Sequence, residues 1–117
     1  MEVKLVSVTN MWRNAKGIGG ELIATDEGLI FNKRGFLATY YRGLIPAITE
    51  LTTTKLNYFA VRYEEIQSAV QGRFRLNRKA LIVILKSEEK IIFAISDKHK
   101  KWFALMDEMV NNKNNTL

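Results

Sequence analysis

Cysteine is absent from the 117 residues, which excludes disulfides and thiolate-bound metal. Histidine occurs once, at His99. A zinc site or a nucleophile–His–acid triad would have to be built around that single imidazole. The adjacent pairs Glu64–Glu65 and Glu88–Glu89 fall in polar breaks and read as solvated turn carboxylates, not as an acid and base facing each other. No catalytic residue, metal ligand or cofactor site is assigned, and an enzyme is not expected. Long apolar runs are missing too: nothing approaches the roughly 18 residues that a membrane span needs. The opening residues, MEVKLVSVTNMW, lack the basic segment and continuous apolar core of a signal peptide. These absences lead to the expectation of a cytoplasmic protein, at most peripheral to a membrane.

Acidic residues are in short supply, 12 against 18 lysines and arginines, for a net charge of +6. That balance permits attraction to anionic surfaces without requiring it. The hydrophobic fraction of 47% and charged fraction of 26% are those of a globular chain. One domain is expected over residues 1–110, with a polar, flexible tail at 111–117.

Along the chain, apolar residues fall on alternate positions in short runs. Residues 3–11 form one such run, with an irregularity where Val3 and Leu5 give way to Val6 and Val8. Others are 21–25, 29–33, 58–63, 67–75, 80–86 and 91–95. Tight polar breaks such as LNR and SEE separate several of them, as in antiparallel meanders. From Trp102 the period changes: Trp102, Leu105, Met106, Met109 and Val110 make the stripe of a helix buried on one side. Ser96 or Asp97 is expected to cap its first turn. About seven strands followed by one helix result.

The segment KGIGGELIATDEGLIF, residues 16–31, holds four of the seven glycines. A phosphate-cradling loop closes with Gly-Lys-Ser/Thr and opens a helix, whereas here Gly20 leads into an alternating strand. A hairpin accounts for more: Leu22 and Ala24 face Leu29 and Phe31 across a turn begun by Asp26, with Gly28 supplying positive φ. Gly19 and Gly20 permit a bend or a close backbone approach.

This hairpin carries a resemblance. Asn10, then Gly20, Leu22, Thr25, Leu29 and Phe31, resemble the opening of GRAM domains, with Ala24 where a larger aliphatic is usual. FAVRYEEIQSAV is similar to a later strand–turn–strand of that family through Val61, Tyr63, Glu65, Ile66 and Val70. HKKWFALMDEMV is similar to the closing helix of pleckstrin-homology-like folds, in which a tryptophan often anchors the helix. The resemblance implies a mainly β fold, a pleckstrin-homology-like seven-stranded antiparallel barrel or split sandwich capped by the C-terminal helix. It also implies a non-enzymatic module that binds membrane lipid or protein. Better-known relatives often hold inositol phosphate with basic residues around the first hairpin, where this chain has only Lys16 before and Lys33–Arg34 after.

The densest cationic group lies elsewhere, in GRFRLNRK: Arg73, Arg75, Arg78 and Lys79. On a strand, Arg73 and Arg75 share a face, and arginine suits bidentate contact with phosphate. These four, with Lys33 and Arg34, are the candidate anion or lipid-headgroup residues. Residues 34–57 depart from the family pattern as a long, apolar insertion. Tyr40, Tyr41, Leu44, Ile45 and Ile48 are its candidate interaction surface, able to pack on the domain, on a second copy as a homodimer, or at a membrane interface. Interleaved cations and aromatics suit single-stranded nucleic acid, but no recognition motif accompanies them, and nucleic acid is not the expected partner. Two functions stay open: docking to anionic membrane lipid or a protein partner, and a purely protein–protein or self-association module.

Overall fold

The computed structural model describes residues 2–13, 16–33 and 59–115. Within them the alternating segments become β1 (Val3–Arg13), β2 (Lys16–Thr25), β3 (Gly28–Lys33), β4 (Phe59–Arg62), β5 (Ile66–Phe74), β6 (Asn77–Leu85) and β7 (Lys90–Ile95). They form one sheet in the order β4-β3-β2-β1-β7-β6-β5, every neighbouring pair antiparallel. The sheet curls into a half-barrel. Phe59 from one end and Phe31 near it both stack against Phe93, at 6.4 and 6.2 Å between ring centroids. A 3-10 turn, Tyr63–Glu65, carries the chain from β4 to β5 at the other end of the ladder.

The first glycine-rich segment is strand and hairpin throughout. Leu22 pairs with Phe31 and Ala24 with Leu29, and all four are fully buried. Gly20 is where backbone must come close: a Cβ there would lie 2.2 Å from the Asn32 carbonyl oxygen. The turn is held chiefly by Thr25. Its hydroxyl accepts from the N–H groups of Glu27 and Gly28 at 3.1 and 3.0 Å. Asp26 instead ties the turn to the chain start, accepting the Glu2 N–H at 2.8 Å.

On β1 the irregularity is a register shift between Val3 and Leu5, but the inward face is not the valine face. Ser7, Thr9 and Met11 are buried, while Val8 is 40% exposed. The reason is Trp102, fully buried, whose indole N–H donates to the Ser7 hydroxyl at 2.9 Å. A buried tryptophan needs a polar partner at one point of its rim, and serine supplies it.

The helix α1 (His99–Met106) continues through a π-helical stretch, Asp107–Asn111, into α2 (Asn112–Asn115). It lies against β5, burying Trp102, Met106 and Val110 in the common core. The expected cap is not made. Lys98 occupies the N-cap position at φ 58°, without a side-chain cap, because Ser96 and Lys98 bond to β1 instead. The Ser96 hydroxyl donates to the Val8 carbonyl at 2.8 Å and Lys98 Nζ to the Val6 carbonyl at 3.0 Å. Helical backbone continues to Asn115. The wider π turn brings Asn111 over the β5 edge, and its side-chain amide accepts the Ala69 N–H at 3.0 Å and donates to the Ala69 carbonyl at 2.8 Å.

Candidate anion-binding hairpin

β5 and β6 close with Phe74 opposite Asn77, leaving Arg75 and Leu76 as a two-residue loop. Arg75 adopts φ 56° at the first loop position, where such tight turns favour glycine. Behind the loop, the Asn77 side chain accepts the Lys79 N–H at 2.8 Å and the Gln71 amide donates to the Arg78 carbonyl at 3.3 Å. The tip leans on the first hairpin. Phe74 and Trp12 rings lie 5.3 Å apart, and the Arg75 guanidinium stacks 4.3 Å from the Trp12 ring centroid and 5.4 Å from that of Phe74. Trp12 can lie flat there because its cross-strand partner is Gly17, where a Cβ would stand 2.8 Å from the indole.

Arg73, Arg75, Arg78 and Lys79 are all exposed, and among the described residues none of them is in an ion pair. Lys16, exposed and next to Gly17, belongs to the same end of the barrel. Lys33 has its backbone opposite Gly20 in β3. Arg34, Tyr40, Tyr41, Leu44, Ile45 and Ile48 lie outside the described residues. No Asp or Glu occurs between Glu2 and Glu21 or between Glu65 and Glu88, so the two hairpin segments that meet here carry cations only.

Sequence reasoning missed Trp12, Phe74 and Leu76, although the aromatics flanking Arg13 and Arg73 were visible. It also missed Arg13, which is engaged elsewhere. Arg13 Nε meets Glu89 Oε1 at 2.7 Å, and its guanidinium lies 5.2 Å from the Phe59 ring centroid, so that cation is neutralised within the protein.

No protein-family model matches the sequence, and no curated relative matches it. Solved structures do match in shape. The Slm1-PH domain in complex with inositol-4-phosphate superposes with a TM-score of 0.62 at 9% identity, covering 94% of this chain and 99% of that one. The fold is pleckstrin-homology-like. The C-terminal domain of an unknown protein from Leishmania infantum matches equally, with a TM-score of 0.62, 15% identity and 92% and 83% of the two chains covered. Vav1 matches with a TM-score of 0.61 at 11% identity over 94% of this chain and 27% of its own. At these identities the likeness carries the fold alone.

Elsewhere on the pleckstrin-homology-like barrel, the groups weighed for catalysis are occupied or apart. His99 Nε2 sits 2.8 Å from the Ile95 carbonyl oxygen. Glu64 lies 3.7 Å from Arg62, and Glu88 and Glu89 are neighbours just after the β6–β7 turn, Glu89 meeting Arg13. A cavity of about 380 Å³ opens between the β2–β3 turn and the helix. Its lining mixes Asp26, Glu27 and Glu64 with Arg62, Lys86 and Lys113, which gives it no net preference for a polyanion. Among the described residues no helix is long and apolar enough to cross a membrane.

Proposed function

We propose that the protein is a non-enzymatic binding module that docks peripherally on anionic membrane lipid through the β5–β6 hairpin. One observation carries this: four exposed cations on one hairpin, without ion pairs among the described residues, with Arg75 held in place by Trp12 and Phe74. A guanidinium stacked on aromatic rings has its rotamers settled before a phosphate arrives, so less entropy is lost on binding. That a protein of this fold, Slm1-PH, is complexed with inositol-4-phosphate supports the reading. The hairpin residues Gly20, Leu22, Thr25, Leu29 and Phe31 support a GRAM-type module within the fold, and a cytoplasmic location follows from the same proposal.

Vesicle co-sedimentation tests it. Replacing Arg73, Arg75, Arg78 and Lys79 together with neutral residues should weaken binding to anionic vesicles roughly a thousandfold, at about 1 kcal/mol per cation near the surface. Binding should also fall as salt rises. No sedimentation with any anionic vesicle at low salt sinks the proposal. The competing reading is a protein-binding or self-associating module without lipid. It draws on the partly bare Val8 and Val70, 40% and 45% exposed.

A further inference from the structure

The hairpin tip holds one residue that headgroup contact alone does not explain. Leu76 is 100% exposed, in a loop position where asparagine, aspartate or glycine is the usual choice. Its neighbour Arg75 is held at φ 56°, a region disfavoured for any residue with a Cβ. Local rules broken together at one exposed turn point to a role outside folding. The tip is also stiffened: Phe74 packs on Trp12, and Arg75 stacks over both. Leucine is thus presented outward on a braced stalk, with Arg73, Arg75, Arg78 and Lys79 exposed around it.

We propose that Leu76 inserts into the bilayer, making the β5–β6 hairpin a membrane wedge whose cations lie at headgroup level. This rests on the docking reading above and adds that the surface must be a bilayer rather than a soluble phosphate. The occupant follows from charge and polarity together. An apolar tip ringed by cations, in segments free of Asp and Glu from Gln67 to Ser87, matches an interface with anionic headgroups outside and hydrocarbon within. A protein groove for one leucine would not call for four cations that have no ion-pair partner among the described residues.

The absence of cysteine allows a clean experiment. An environment-sensitive fluorophore on Leu76→Cys, with Glu108→Cys on the exposed helix face as control, reports insertion site by site. With phosphatidylserine-containing vesicles the label at 76 should shift to the blue and be quenched by acyl-chain quenchers, while the label at 108 should do neither. Leu76→Ser, at a fully exposed site, should fold normally by circular dichroism yet bind these vesicles roughly tenfold to a hundredfold more weakly. If Leu76→Ser binds as wild type and the label stays in water, insertion is wrong while charge-driven docking survives. Complete displacement by soluble inositol phosphate with an unshifted label also overturns insertion and leaves docking intact. If wild type binds no anionic vesicle, the docking reading and the wedge fall together.

Discussion

Replacing Asn111 by alanine removes two hydrogen bonds from one rung of the β5 edge. The asparagine amide completes Ala69 on both sides, N–H at 3.0 Å and carbonyl at 2.8 Å, as a neighbouring strand would. A second amide hydrogen, donated to Asp107 Oδ1 at 2.7 Å, fixes its orientation. At roughly 0.5–1.5 kcal/mol net per bond, Asn111→Ala should cost about 1–3 kcal/mol. For a domain of this size that lowers Tm by about 5–15 °C. Asn111→Asp should be worse at neutral pH. It keeps an acceptor for the Ala69 N–H but aims a charged oxygen at the Ala69 carbonyl and the Asp107 carboxylate. Acidification should restore much of this loss, because a protonated carboxyl can again donate. Chemical denaturation across pH measures both variants, and amide exchange at Ala69 shows whether the loss is local. Asn111→Ala within about 0.5 kcal/mol of wild type, or Asn111→Asp equal to wild type at neutral pH, would refute the edge-completing role.

Two further outcomes are expected. Burial, and after it the negative charge of Asp26, hold the Tyr63 phenol well above the usual tyrosine range, and its hydroxyl donates to the Thr25 carbonyl at 2.6 Å. The fold keeps this proton where the unfolded chain releases it. The contribution is therefore complete below about pH 10 and is lost as pH rises beyond. Tyr63→Phe should lose about 1 kcal/mol at neutral pH and decline less steeply in alkali, read as urea midpoints against pH; an unchanged alkaline slope counts against it. Gly20→Ala drives a Cβ to 2.2 Å from a backbone oxygen, whereas at Gly72 the nearest atom, at 2.0 Å, is the terminal methyl of Ile82. The first should cost about 3 kcal/mol or more and the second about 1–2 kcal/mol, since a side-chain end can turn aside. Equal losses in thermal melts would show that the sheet yields as readily as a methyl group.

Strand positions and the helix were legible because alternation and the helical stripe are written in local sequence, and the Leu22–Phe31 and Ala24–Leu29 pairs follow from one turn. The buried face of β1 was not. Ser7 and Thr9 look like solvent residues until Trp102, on a helix far along the chain, places its N–H on Ser7. The helix cap failed for the same reason, since Ser96 serves the Val8 carbonyl. At the candidate site the four cations of GRFRLNRK could be read directly. Their brace could not, because Trp12 and Gly17 come from the opposite end of the sequence. Nor does any local pattern announce that Asn111 completes a strand.

β1 has a further consequence, for synthesis. It pairs with β2 at once, but its other edge waits for β7, with Thr9 opposite Ile95 and Trp12 opposite Ile92. On a ribosome adding about 5–20 residues each second, β1 stays open along that edge until β7 emerges, about 80 residues later. Asn10 and Arg13 stand there beside Met11 and Trp12, polar and cationic residues of the kind that discourages premature edge pairing. The long wait between the pairing of β1 with β2 and its pairing with β7 thus falls on an edge that carries polar and cationic side chains.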